Sequence, residues 1–497
     1  MNAQRALSLS KRIAFFLLGG LSCALVIGTG LAAYYLESRD DLKPWHELKL
    51  TQEFSLESPD IDFRAYLSRE ARLFEEMSRK LRDSLAPDDQ TAINRYAPGS
   101  LSDPDNWERN WNQSYILGQQ APKAIFVLIH GMSDSPYSLN NLAERLHEAG
   151  GEVIGLRLPG HGTLPAGLLD VTWQDMSAAV SLAVKHAKDR ARSSGAEGTF
   201  LVGYSVGAAL AMHHTLDSLQ SGSDAVDGLV LLSPAIGLPA VAKLAIWQQR
   251  LSSWFGLRKV AWNSISLEYD PFKYGSFAIN AAIQSALLTD ALRSKLRALA
   301  PTGALNELPP ILAFQSSVDA TVSSRSVVED LFLSLPAGDR ELVLYDVNRL
   351  TEAIAVLAND PKPWVDALLA RDDLPFTLSL VTNLTTENRE TVVIRHEAGA
   401  AKISQRLLGM DWPPSVFSLS HVALPFPATD SLYGDGIAHN SPGIELGILS
   451  FRGERGALKI SANDMLRLRW NPFYSYQERR ILEFVGLSRS QAQYLEK

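Results

Sequence analysis

Cysteine is almost absent: Cys23 is the only one in 497 residues. The chain can therefore close no internal disulfide, build no cysteine metal cage and run no dithiol redox chemistry. Positive charge is not in excess either. Lys and Arg total 47 against 55 Asp and Glu, a net charge of −8, which works against a phosphate-backbone partner and sets nucleic acid aside. No internal repeat or low-complexity tract is present. What remains, 46% hydrophobic and 21% charged residues, is the composition of a globular protein with a large buried core.

The first informative segment is the apolar run 13–36. As a helix it would be about 36 Å long, enough to cross a bilayer. Arg5, Lys11 and Arg12 precede it, whereas Glu37, Asp40 and Asp41 offset Arg39 and Lys43 after it. This bias predicts a cytosolic 1–12, an uncleaved single-pass anchor at 13–36 and an extracytoplasmic, periplasm-like remainder. A cleaved signal peptide fits less well, because its apolar core usually spans about 7–15 residues and Gly30-Leu31-Ala32 is an imperfect cleavage site. Lipidation of Cys23 is disfavoured by the preceding Gly20-Leu21-Ser22. Residues 37–120 then read as a juxtamembrane helical segment and connector. Phe63, Leu67, Phe74, Met77 and Leu81 recur near helical spacing within 58–83, predicting an amphipathic helix that packs on the main domain.

From residue 121 to about 485 the pattern becomes short apolar runs alternating with helical stretches, the mark of βαβ units and a mostly parallel sheet with helices on both faces. Strands are predicted at 124–129, 152–156, 199–204, 228–232, 311–314 and 341–345, and helices at 139–149, 173–192, 206–219 and 322–335. Two stretches break the alternation: 235–308, rich in aromatics including Trp247, Trp254, Phe255 and Trp262, and 347–415.

Gly203-Tyr204-Ser205-Val206-Gly207 follows one of these strands and opens an Ala-rich helix. With 33 glycines in 497 residues, Gly-x-Ser-x-Gly should arise by chance roughly 0.2 times in such a chain, so its setting carries the weight. A serine on a strand-to-helix turn needs small neighbours two positions either side, and Gly203 and Gly207 supply them. A serine hydroxyl also needs an imidazole to take its proton and a carboxylate to orient that imidazole. Asp319 follows the strand at 311–314 and can supply the carboxylate, although it could also cap the helix after it. No histidine follows the strand ending near Tyr345, so an insertion must intervene. His421, where an apolar segment leaves regular structure, is the choice for the base, with His439 and His396 as fallbacks. His213 and His214 read as ordinary helix residues. The strand ending in His130-Gly131-Met132 places the amide of Met132 opposite that of Val206 as a pair of oxyanion donors. His130 is expected to brace this loop, and His161, in Pro159-Gly160-His161-Gly162, to sit in a structural turn.

Taken in this order, these motifs over 121 to about 440 resemble the α/β-hydrolase superfamily, nearest its monoacylglycerol-lipase and serine-aminopeptidase-like branch. The resemblance implies Ser205 as nucleophile, Asp319 as acid, His421 as base and Met132 with Val206 as the oxyanion hole. It also implies a helical cap insertion at 235–308, while 347–415 is a second insertion before the histidine. The expected activity is that of a membrane-anchored serine hydrolase acting on small or lipid-like carboxylic esters, without metal or organic cofactor. The alternatives are a peptidase or amidase, for which Glu268 and Asp270 would have to bind a substrate amine, and a catalytically inactive binding module. Nothing in the sequence fixes an oligomeric state.

Overall fold

Strands β2 (Ile125–Ile129), β3 (Glu152–Leu156) and β5 (Gly228–Leu232) are buried along their whole length. Uninterrupted burial requires cover on both faces, which is why these strands read as continuous apolar runs instead of alternating ones. In this computed structural model they belong to a ten-stranded sheet with β1 (Tyr115–Leu117), β4 (Thr199–Tyr204), β8 (Ile311–Ser316), β9 (Arg340–Tyr345), β10 (Thr377–Asn383), β11 (Glu390–His396) and β12 (Ile403–Asp411). The order is β1-β3-β2-β4-β5-β8-β9-β10-β11-β12. The run from β3 to β10 is parallel, and β1, β11 and β12 add antiparallel partners at the two edges. β6 (Trp262–Ser264) and β7 (Phe277–Ala278) form a separate small ribbon. The structure describes residues 15–20, 22–23, 27, 30, 34, 37–58, 61–223, 225–237, 258–400, 402–437, 441–449, 463 and 466–488.

Alternate side chains of each strand feed two cores. Val127, Ile129, Leu201, Leu229 and Leu231 face one side, with Met176 and Val180 of α3 (Trp173–Ser194), Leu210 of α4 (Val206–Ser221) and Leu288 and Leu292 of α5 (Ile279–Leu299). Phe126, Leu128, Val202 and Val230 face the other, with Leu142 and Leu146 of α2 (Asn140–Glu148) and Tyr476 and Ile481 of α7 (Tyr474–Phe484). α3 begins at a reciprocal cap: Asp175 N–H donates to Thr172 Oγ1, and Thr172 N–H donates to Asp175 Oδ2.

The amphipathic segment forms α1 (Phe63–Ser84), with Phe63, Tyr66, Leu73, Phe74 and Leu81 buried. It is fastened to the sheet by charge. Fully buried Arg157, just after β3, pairs with Glu70 of α1 and with Glu53, each at 2.9 Å, while Tyr66 donates to Arg157 O at 2.7 Å. A buried guanidinium needs such partners, and removing either acid would leave a charge stranded out of water.

One expectation is overturned, and the two breaks in the alternation take a definite form. The anchor at 13–36, with an extracytoplasmic remainder, does not stand: among the described residues no helix is long and apolar enough to cross a membrane. The longest described part of that run, 15–20, is helical; residues 1–14 and several others in the run lie outside the described residues. Of the stretch 235–308, Ile279–Leu299 is α5, the crossover between β5 and β8, packed on α3 and α4. Trp247, Trp254 and Phe255 lie outside the described residues. Of 347–415, a large part extends the sheet as β10 to β12. A helix of eight residues, α6 (Lys362–Leu369), precedes β10.

Buried ionisable groups give the fold an acid limit. Burial holds His46 and His161 at about 4, below the usual histidine value. Burial alone would raise Glu76, but Lys80, the amides of Thr51 and Gln52 and the Thr51 hydroxyl hold its carboxyl at about 2. All three pKa values are depressed by folding, so their stabilisation is complete above the unfolded values and is lost as pH falls through the folded ones. Denaturant midpoints are expected to decline from about pH 6.5 towards 4 and again from about 4.5 towards 2. Glu76→Gln should flatten the second decline, and an unchanged slope there would refute this assignment.

Candidate active site

The turn from β4 into α4 is strained at one residue. Ser205 sits at φ 56°, ψ −117°, a conformation that costs a side-chain-bearing residue on the order of 1–3 kcal/mol. Its N–H donates to Leu232 O at 2.8 Å, and its carbonyl accepts from Ala208 and Ala235. Space is exhausted on both sides: a Cβ at Gly203 would stand 2.4 Å from Ala208 Cα, and one at Gly207 2.1 Å from Ile129 O. The glycines therefore let helix and sheet close around the serine, which remains 8% exposed.

Asp319 and His421 meet although 102 residues separate them, with His421 Nδ1 2.8 Å from Asp319 Oδ2. An ionised carboxylate only accepts, so the proton lies on Nδ1 and the Nε2 lone pair is left available. Asp319 also caps the following turn: Oδ1 accepts from the amides of Thr321 and Val322, and Oδ2 from Gln315 Nε2. Burial would raise this carboxyl, but the imidazole and the amide donors hold it below its usual range. Both readings of Asp319, cap and orienting acid, thus describe one side chain.

The insertion reaches this point by a closed detour. The chain leaves β9 at Asp346 and returns beside it, where Val347 bridges Ser418 and Asn348 N–H donates to Phe417 O at 2.7 Å. Arg349 ties the base of the detour, its Nε 2.7 Å from Asp346 Oδ2 and its N–H donating to Asn383. His421 then follows three residues beyond Ser418, as though the intervening strands were not there. Tyr204 donates to its carbonyl at 3.4 Å, and the two rings lie 5.3 Å apart.

Gly131 packs directly on the serine turn, since a Cβ there would be 3.1 Å from Ser205 Cβ. Among the described residues the next amide, Met132, has no acceptor, and that of Val206 is the first of α4, left unpaired by helix geometry. Two contacts that sequence reasoning missed hold this loop: Lys273 Nζ lies 2.5 Å from Asp134 Oδ1, and Tyr274 N–H donates to Ser133 O at 2.9 Å. Asp134 signalled itself only as an acid three residues after a His-Gly pair.

The other candidate histidines among the described residues are engaged elsewhere. His130 Nε2 accepts from Leu158 N–H at 3.0 Å, so its Nδ1 carries the proton donated to Gly131 O; burial drives its pKa far down, and both nitrogens are committed to bracing. His161 donates from Nδ1 to Pro159 O. His213 Nδ1 lies 3.0 Å from Asp217 Oδ2, and His214 faces Ser181. His396 lies on β11 opposite Leu378 and Ile403 and donates to Ala400 O, three strands from β8. His439 lies outside the described residues. Glu268 and Asp270 accept from within the protein, from the amides of Gly275, Ser276, Phe272 and Lys273 and from the Tyr433 hydroxyl.

A family profile described as serine aminopeptidase, S33, matches residues 120–349. The chain has an α/β-hydrolase fold. It is similar to a thermostable monoacylglycerol lipase of Bacillus sp. (strain H-257), 30% identical over 116 residues, 23% of this chain and 42% of that protein. The match thus spans less than half of that relative's length. Among solved structures it is similar to a soluble variant of monoglyceride lipase from Saccharomyces cerevisiae at 16% identity and TM-score 0.36, covering 47% of this chain and 82% of that one. A monoacylglycerol lipase of Paleococcus ferrophilus gives 18%, TM-score 0.34, and coverage of 46% and 87%.

The glycine contacts are directly testable. Gly207→Ala forces a methyl against the backbone of Ile129 and His130, and should lower stability by about 3 kcal/mol or more in denaturant titrations. A variant as stable as the parent would show that the turn has room to relax.

Proposed function

We propose that the protein is a serine hydrolase that cleaves carboxylic esters through an acyl-enzyme. The observation that carries this reading is the 2.8 Å bond from His421 to Asp319, at the same sheet edge as the strained Ser205 turn. Ser205 Oγ attacks the ester carbonyl while His421 Nε2 takes its proton. Asp319 holds the ring in the tautomer that leaves Nε2 free and stabilises the imidazolium that forms. The amides of Met132 and Val206 receive the oxyanion, the second of them reinforced by the positive end of α4. His421 then protonates the departing alcohol and activates the water that releases the acid. No step calls for a metal or organic cofactor.

The names of the similar lipases favour an ester carrying an acyl chain. Against the amidase reading, Glu268 and Asp270 are buried and their oxygens already accept protein donors. An inactive binding module would have no use for the backbone strain at Ser205.

A fluorophosphonate probe should label the native protein and not Ser205→Ala. Asp319→Asn should keep the fold but lower kcat on a short-chain ester by about 10³- to 10⁴-fold, through loss of the orienting carboxylate. Labelling that is absent from the native protein, or independent of Ser205, would overturn the proposal.

A further inference from the structure

The second insertion walls a cavity of about 720 Å³ whose other side is the catalytic pair itself. Residues 357–361 and Trp364 line one flank, and Asp319 and His421 the other. Phe417, 60% exposed, adds an apolar surface at the point where the insertion returns. Two arginines face the same space. Arg325 lies over the Trp364 ring, 6.0 Å from its centroid. Arg467 donates to Thr321 Oγ1 at 3.0 Å and also lines the neighbouring cavity of about 720 Å³ that contains Tyr204 and Asp134.

The two arginines of this cavity stand apart from its two acids. Asp319 is committed to His421, and Asp360 to Arg349 at 2.5 Å. Among the described residues neither Arg325 nor Arg467 has a carboxylate partner. Two exposed guanidinium groups without a direct carboxylate partner among the described residues, beside the proposed base and with aromatic and aliphatic surface between them, form an amphipathic receptor for an acid.

We infer that this cavity is a substrate subsite for esters that carry an anionic group, a phosphate or a carboxylate, which Arg325 and Arg467 recognise while Trp364 and Phe417 cover the adjoining carbon chain. The inference rests on the hydrolase reading and deepens it by naming the charge of the substrate. Phosphate and carboxylate share the chemistry that guanidinium forks bind.

The test compares kcat/KM for 1-decanoylglycerol with that for 1-decanoylglycerol 3-phosphate and for a monoester of decanedioic acid, at low salt. The native protein should favour at least one acid over the neutral ester, and which acid is favoured assigns phosphate or carboxylate. Arg325→Gln/Arg467→Gln should lower that preference about 10- to 100-fold, the scale of a lost charge-assisted contact. Arg371→Gln, an exposed arginine of the same insertion paired with Asp373, should leave the preference in place. No acid preference in the native protein, or one that survives the double substitution, overturns the inference. A failure of the hydrolase reading is separately visible as loss of Ser205-dependent labelling and turnover of every ester. The subsite is then judged by calorimetry of decyl phosphate with Ser205→Ala. Binding that disappears with both arginines supports it, whereas binding unaffected by them, or none, overturns it.

Discussion

A buried carboxylate must be surrounded by donors or it does not stay charged. Asp319 meets that constraint with the amides of Thr321 and Val322, the Gln315 amide and the His421 imidazole. Its side chain has no exposure to solvent and that of His421 only 5%. The first three donors come from within four residues of Asp319 and would form in any chain that makes this turn. The fourth arrives from across the sheet, so the return of the insertion beside β9 is a condition for the whole arrangement. The bridge of Val347 to Ser418 is therefore as much a part of the site as the imidazole.

What could be read from the sequence follows from how local each signal is. The parallel strands β2 to β5 were legible because burial on both faces writes a continuous apolar run, and the serine turn because two glycines answer a steric demand within five residues. Asp319 could be found from its place after β8. α5 was harder: it follows an aromatic segment that resembles a cap, and only its packing on α3 and α4 identifies it as a crossover. β12 left almost no trace, since it is the last strand of the sheet and exposed over most of its length. The predicted helix at 322–335 is broken in fact, passing from α (Ser324–Ser326) through π (Val327–Leu331) to 3-10 geometry (Phe332–Ser334). Such changes of pitch depend on packing that periodicity alone does not encode.

The polar contacts around the site show the same division. The bracing role of His130 was foreseeable, because a histidine ending a buried strand must satisfy two ring nitrogens, and Gly131 O and Leu158 N–H are the groups within reach. The link of Lys273 to Asp134 was not, because it joins residues 139 apart on segments with no common periodicity. Long-range pairs of this kind are legible only once the sheet order is known.

The N-terminal arm shows why the 37–120 segment cannot be treated as a spacer. Glu53 pairs with Arg157 and accepts from Gly160 N–H, while Arg157 Nη1 donates to His161 O at 2.9 Å. The arm thereby sets the turn 159–162, whose His161 ring lies 5.1 Å from that of His130. His130 in turn holds Gly131, the residue packed against Ser205. The hydrogen bonds and the ion pair in this chain are buried or partly buried, so losing a partner incurs a desolvation penalty. The loop that carries Met132 is thus positioned from two directions, through Arg157 and the arm on one side and through Lys273 and Tyr274 on the other. Its geometry is a property of the assembled chain rather than of the strand that it follows.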